Sequence, residues 1–324
     1  MALSKVLLVL CLIAAIGSIS GLSITDKIQE ALVSAIRSRA RSWVAQVYDR
    51  PEEFGVMKMS LGLNESELNS LPRLQNQRSV RALPASFDAR QKWPYCPSLN
   101  QIRSQGSCGS CYAVSTASVI TDRYCIHSGG ERQFYFGSTG YLSCCTDCYK
   151  CDGGYVFKTF DYWVEYGLTS GGPYNSRQGC KPYPFGGATQ DVNIVLKCDR
   201  QCQAGYPLTY SQDLKYGASS YILPWGDENA MKAEIYQNGP IVTSFDVYGD
   251  FFQYRSGVYR QVTGAYKGSH AVRVIGWGVE NGVKYWLCAN SWNERWGENG
   301  FFKIVRGENH LGIEDLSYAG LPKY

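Results

Sequence analysis

Hydrophobic positions fall into distinct regimes along the chain. Val6 to Ile16 is an unbroken apolar run, preceded by Lys5 and followed by the small residues Gly17, Ser18, Ser20 and Gly21. The run is too short to span a bilayer. Its order is that of a secretory signal, so residues 1–20 are predicted to be a removable leader. Next, Ile24, Ile28, Leu32, Ile36, Ala40, Trp43 and Val47 recur at helical spacing. This predicts one amphipathic helix, with Arg37, Arg39 and Arg41 crowding its middle, that Pro51 stops. Its apolar face needs a partner.

From Cys111 to His127 there is no Gly or Pro, and Gly129-Gly130 ends the run. That predicts a helix beginning at Cys111 with Ser110 as N-cap. A weaker helical pattern covers residues 155 to 166, and "DENAMKAEIYQNG" reads as a short helix ending at Gly239. The stretch from about 170 to 220 is Gly-, Pro- and Tyr-rich with little periodicity. After Pro240 the pattern turns to strands. "AVRVIGWGVE" and "VKYWLCANSW" flank Asn281-Gly282, a strong hairpin signal. The front of the chain is therefore expected to be mainly helical and the rear mainly strands.

The 324 residues suit one large domain or two packed lobes. The net charge of +4 comes without any long basic run, which argues against nucleic-acid binding. After the leader no apolar run is long enough for a membrane helix, so the mature chain is expected to be soluble. Of thirteen cysteines, Cys11 lies in the leader and the others begin at Cys96. Residues 22–82 contain none, which marks a boundary. The polar, basic linker "QNQRSVRALPAS", around Arg78 and Arg81, is a plausible cutting site. A leader implies an oxidising compartment, so "CCTDCYKC" (Cys144 to Cys151) reads as a disulfide knot rather than a metal site.

The pair Cys108-Gly109-Ser110-Cys111 can be a redox dithiol, half of a metal site, or a structural cysteine beside a chemical one. Position favours the last. A cysteine at a helix N-terminus faces unpaired N–H groups and the positive dipole end, both of which stabilise a thiolate. It also needs a base, and the chain offers His127, His270 and His310. His127 is at the far end of the same helix, roughly 24 Å away at 1.5 Å per residue. His270 opens the first strand of the hairpin and Asn290 closes the second. With a two-residue loop Asn290 should face Arg273, unless a bulge at Gly276 or Gly278 shifts the register further. His310 has no such partner.

"QGSCGSCYA", "GSHAVRVIGWG" and "YWLCANSWNERWGENGFFKI" resemble the catalytic blocks of papain-family cysteine proteases. "LPASFDAR", "TDRYCIHSG", "CDGGY", "GCKPY" and "RGENHLGIED" narrow the resemblance to the cathepsin B branch, from about Leu83 to the C-terminus. The resemblance implies an α+β, papain-like fold of two lobes, one mainly helical and one β-barrel-like, with the cleft between them. It implies Cys111 as nucleophile, His270 as base and then acid, and Asn290 as the group that orients the imidazole. Gln105 and the Cys111 backbone N–H would form the oxyanion hole. Trp292 would shield the His–Asn bond, and Gly153 and Gly154 would let the substrate backbone come close. The family pattern pairs Cys96 with Cys125, Cys108 with Cys151, Cys144 with Cys198, Cys145 with Cys148 and Cys180 with Cys202. That leaves Cys111 and Cys288 unpaired. Residues 21–82 resemble, more loosely, an inhibitory pro-segment, with 83–324 the mature peptidase.

Some positions depart from the family. Tyr112 replaces the usual Trp after the nucleophile, Ser269 a Gly before the histidine, and Arg295 a common acid. At the pocket for the side chain two residues upstream of the cut, Leu316 stands where mammalian cathepsin B has a glutamate. Apolar side chains should therefore be preferred there, unless Glu314 or Asp315 restores an acid. Between Cys180 and Cys202, where the family's exopeptidases carry a histidine-bearing loop over the cleft, this chain has no histidine; Lys181 or Lys197 is the candidate to bind a substrate carboxylate in its place. Endopeptidase activity is the expectation. The alternatives are peptidyl-dipeptidase activity, a catalytically dead peptide-binding relative and a disulfide oxidoreductase. The expected enzyme is a secreted or lysosomal monomer with no cofactor or metal. Its partners would be peptide and protein substrates, its own pro-segment and cystatin-like inhibitors, with no nucleic acid and no membrane. The sequon Asn64-Glu65-Ser66 lies in the pro-segment.

Overall fold

The computed structural model describes residues 24–48, 65–74, 82–146, 148–187, 194 and 196–324. The expected leader, Pro51, Asn64, Arg78, Arg81 and part of the segment between Cys180 and Cys202 lie outside these residues. Among those described, no helix is long and apolar enough to cross a membrane.

Among the described residues, four longer helices organise the fold: α1 (Ile24–Arg39), α2 (Cys111–His127), α3 (Val156–Glu165) and α4 (Glu228–Asn238). The strands are β1 (Trp43–Ala45), β2 (Phe87–Asp88), β3 (Gly217–Ile222), β4 (Ile241–Tyr248), β5 (Tyr254–Tyr259), β6 (Tyr266–Glu280), β7 (Val283–Ala289), β8 (Phe301–Val305) and β9 (Ser317–Pro322). They hydrogen-bond in the order β1-β5-β8-β7-β6-β4-β9-β3, with β2 added to β6. The fold is α+β. The path is open at β1 and β3, so the barrel-like lobe is a mixed sheet that does not close. One core cluster lies against this sheet, and a second surrounds α2 and α3.

Helix α2 runs over the predicted residues and is buried from Cys111 to Ile126. Two charged residues in its second half are buried with it, and each is paired. Asp122 meets Arg273 of β6 at 2.7 Å and Ser98 at 2.6 Å. Arg123 meets Glu234 of α4 at 2.9 Å and also donates to the carbonyls of Gly239, Pro240 and Gly320. Removing one partner would strand a buried charge, at a typical cost of about 3–5 kcal/mol. These pairs fix the helix against the sheet lobe.

The Asn281-Gly282 turn joins β6 and β7 in the expected register from Glu280↔Val283 to Gly276↔Leu287. A bulge between Val274 and Gly276 then moves the pairing by one residue, so Arg273 faces Ala289 instead of Asn290. Gly276 has a second constraint, since a Cβ there would lie 2.1 Å from the Phe87 carbonyl oxygen of β2.

The early chain differs from its helical reading. The helix stops at Arg39, and Trp43–Ala45 forms β1 on the edge of β5, pairing Trp43 with Gly257. Val33 and Ile36 carry the buried face of α1, while Ile28 and Val47 are exposed. At the opposite end of the sheet, Ile222 of β3 donates to the Pro72 carbonyl at 2.8 Å and accepts from the Leu74 N–H at 2.9 Å. Leu71 beside it is buried. The segment ahead of Leu83 thus contributes a strand at one end of the sheet and an extended pairing at the other.

Candidate active site

Cys111 is the first residue of α2, and Ser110 precedes it as N-cap without a side-chain capping bond. The first amides of the helix are therefore left to other partners. The thiol is buried, which pushes its pKa up to about 11, against the opposing pull of hydrogen bonds with the backbone of Ala271, Tyr112 and Cys111 itself. The Ala271 contact places the sulfur beside the residue that follows His270.

His270 lies on β6 and is buried. Its Nε2 is 2.7 Å from Asn290 Oδ1, which also accepts the Ser291 N–H at 2.8 Å. An amide oxygen only accepts, so Nε2 carries the proton. Nδ1 then holds a lone pair, and it has no hydrogen-bond partner among the described residues. Burial pushes the imidazole down to about 4, opposed by the Asn290 hydrogen bond. Trp292 is fully buried with its ring 5.0 Å from the imidazole, and Phe252 stacks parallel on its other neighbourhood at 5.0 Å.

Gln105 is fully buried. Its Nε2 donates to the Cys108 carbonyl at 3.0 Å, and its Oε1 accepts the Ser291 hydroxyl at 2.6 Å. Its backbone N–H bonds to the Ser291 carbonyl at 2.9 Å. The segment carrying Gln105 is thereby pinned to the residue next to Asn290. Sequence reasoning passed over Ser291, although it sits inside the "NSW" block; nothing in the linear pattern shows what its hydroxyl meets.

Cys108 is joined to Cys151, so it does not form a dithiol with Cys111. The remaining disulfides are Cys96–Cys125, Cys144–Cys198, Cys145–Cys148 and Cys180–Cys202. Cys111 and Cys288 are free and buried. Gly153 takes a φ of +99°, which favours glycine. At Gly154 the constraint comes from within: a Cβ would lie 2.5 Å from the Tyr112 ring. The Tyr112 hydroxyl donates to the Lys150 carbonyl at 2.8 Å, tying the loop that carries these glycines to α2. Ser269 lies opposite Asp246 in the sheet, and Arg295 is exposed.

Leu316 is partly buried and packs on the cluster that contains Cys111, Ala271, Tyr318 and Leu71. The two nearby acids are engaged elsewhere. Glu314 accepts from Trp286 Nε1, Gly307 N and Asn309 N. Asp315 accepts from Asn309 Nδ2. Lys181 is ion-paired with Asp199, while Lys197 is exposed.

The family described as papain family cysteine protease matches residues 83–321. The chain is 38% identical over 315 residues to a cathepsin B-like cysteine proteinase of Schistosoma japonicum, covering 92% of each. It is 40% identical over 300 residues to a gut-specific cysteine proteinase of Caenorhabditis elegans, covering 91% of each. Among solved structures, procathepsin B S9 from Trypanosoma congolense superposes with a TM-score of 0.75 at 36% identity, covering 94% of this chain and 99% of that one. The chain belongs to the papain family of cysteine proteases and, within it, is a cathepsin B-like enzyme.

Proposed function

We propose that this chain is the zymogen of an endopeptidase that cuts proteins through a Cys111–His270–Asn290 triad and a covalent acyl-enzyme. The single observation that carries the reading is the fixed imidazole: Nε2–H held by Asn290, with Nδ1 unpartnered on the residue preceding the thiol's backbone contact. Nδ1 takes the thiol proton as sulfur attacks the carbonyl carbon. The oxyanion forms against Gln105 Nε2 and the Cys111 N–H. His270 then gives the proton to the leaving amine, the C–N bond breaks, and a thioester remains. Water attacks the thioester with His270 again as base, releasing the acid and restoring the thiol.

Residues 21–82 act as the inhibitory pro-segment, supported by the strand added at β5 and the pairing of residues 72–74 with Ile222. In that latent form burial pushes the thiol up and the imidazole down, so both favour their neutral forms. The leader sends the chain to the secretory route, and the mature enzyme from Leu83 works as a monomer outside the cell or in the lysosome, open to cystatin-like inhibitors. Leu316 forms part of the pocket for the residue two positions upstream of the cut, with Gly153 and Gly154 facing the substrate backbone. Endopeptidase action is favoured because the segment between Cys180 and Cys202 has no histidine and Lys181, one of its three cations with Lys197 and Arg200, is already paired with Asp199.

Mass spectrometry of a long peptide digested by the mature enzyme tests the mode. Early internal cuts that ignore amidation of the C-terminus are expected. A ladder of C-terminal dipeptides that disappears on amidation would replace this reading with a peptidyl-dipeptidase. Labelling by a peptide epoxide tests the nucleophile, and Cys111→Ser is expected to abolish both labelling and hydrolysis.

A further inference from the structure

The two oxyanion donors assigned above belong to different segments, Gln105 on an extended stretch and Cys111 on α2. A third residue, remote from both in sequence, connects them. The Tyr183 hydroxyl donates to the Gln105 carbonyl at 2.8 Å and lies 2.6 Å from Ser110 Oγ. A phenol has one proton, and it is committed to Gln105. Ser110 is then the donor to Tyr183, which gives a directed chain from Ser110 Oγ–H through Tyr183 Oη–H to the Gln105 carbonyl. All of this is buried: Ser110 and Gln105 are fully buried and Tyr183 nearly so. Burial also raises the Tyr183 pKa well beyond any working pH, so the hydroxyl stays a donor throughout.

The chain also explains the missing cap. Ser110 stands at the N-cap of α2 but makes no capping bond; its Oγ is turned to Tyr183 instead. Neither of the residues flanking the hole can move without breaking a buried hydrogen bond, and a misplacement of about 1 Å can cost on the order of a hundredfold in rate. The Tyr183 ring is held independently, packed edge-on to Phe185 at 5.6 Å.

We infer that Tyr183 is a positioning residue of the oxyanion hole, its hydroxyl setting the separation between the Gln105 side chain and the Cys111 backbone N–H. The inference rests on the oxyanion assignment under the proposed function. Tyr183 touches no reacting atom and acts through Gln105 and Ser110.

The experiment uses the full chain, processed to the mature enzyme, as wild type, Tyr183→Phe, Ser110→Ala, the double variant and Gln105→Ala. Three quantities are measured: kcat and KM on a peptide substrate, affinity for a peptide aldehyde, and the rate at which dipyridyl disulfide modifies Cys111. The aldehyde adds the thiol and places an oxyanion in the hole; the disulfide reagent forms none. For Tyr183→Phe, kcat and aldehyde affinity are expected to fall together by roughly tenfold, a fraction of the hundred- to thousandfold typical for losing a donor outright. KM and the thiol modification rate should stay within about twofold of wild type. The double variant should resemble Tyr183→Phe alone, because the two hydroxyls act in one chain. If Tyr183→Phe does not fold, Ser110→Ala carries the same test. Normal aldehyde affinity in a folded variant with a lowered melting temperature would overturn the inference and leave Tyr183 a packing residue. Unchanged aldehyde affinity in Gln105→Ala would instead show that the oxyanion assignment itself is wrong.

Discussion

Ser291 donates its hydroxyl proton to Gln105 Oε1 at 2.6 Å across 186 positions of sequence. The bond dictates which way the amide faces: with Oε1 occupied, Nε2 is the end left to bond the Cys108 carbonyl and, under the proposed function, to meet an oxyanion.

Ser291→Ala removes that constraint without touching His270 or Cys111. A buried hydrogen bond is worth about 1 kcal/mol net, so kcat is expected to fall about fivefold with KM little changed. Steady-state kinetics on a dipeptidyl reporter decides it. A rise in KM at constant kcat would mean that Ser291 serves substrate binding instead.

The pocket floor makes a specificity prediction. Leu316 offers no counter-charge, and Glu314 and Asp315 are bonded elsewhere. A desolvated guanidinium would be penalised, so Phe-Arg reporters should be cleaved at least roughly tenfold more efficiently than Arg-Arg ones. Leu316→Glu is expected to raise Arg-Arg cleavage and close the gap. Equal efficiency on both reporters in the wild type would remove Leu316 from the pocket.

Latency should depend on Trp43. Its indole is buried, lies 5.1 Å from the Tyr259 ring, and donates to the Arg260 carbonyl at 2.9 Å. Truncating a buried tryptophan typically costs about 3–5 kcal/mol. A peptide of residues 21–82 carrying Trp43→Ala should therefore inhibit the mature enzyme roughly a hundredfold or more less tightly than the wild-type peptide. Equal inhibition constants would show that inhibition resides elsewhere in the segment.

Acid should weaken the full-length fold through two histidines, His270 buried and His310 half-buried. His270 and His310 are both pushed from 6.5 down to about 4, chiefly by burial. A depressed pKa means that the folded state favours the neutral form. Its stabilising effect is complete above pH 6.5 and is lost as pH falls toward 4. For the fully buried His270 this amounts to roughly 3 kcal/mol. His310 Nε2 accepts the Gln261 N–H at 3.0 Å, a bond that protonation removes. His310→Gln should therefore lose less melting temperature between pH 6.5 and 4 than the wild type. Identical slopes by calorimetry would mean that His310 titrates as if free.

Local chemistry was enough to place α2, the β6–β7 turn and α4. A run without Gly or Pro, an Asn-Gly pair and a glycine stop act through backbone freedom within a few residues, wherever they are in the fold. The same reasoning placed a thiol on a helix N-terminus and an imidazole in a hairpin. It failed at Trp43, where the helical spacing continued by coincidence into a strand. Val44 is exposed between buried Trp43 and Ala45, an alternation too short to detect and stabilised only by pairing with β5. The two-residue turn set Asn290 opposite Arg273 unless a bulge intervened, and the bulge between Val274 and Gly276 brings it one residue nearer to His270; β2 leaves no room for a side chain at Gly276. The hydroxyls of Ser291 and Tyr183 were beyond any linear reading. A hydrogen bond reaches only about 3 Å, and which groups come within that reach over such separations in sequence is decided by packing alone.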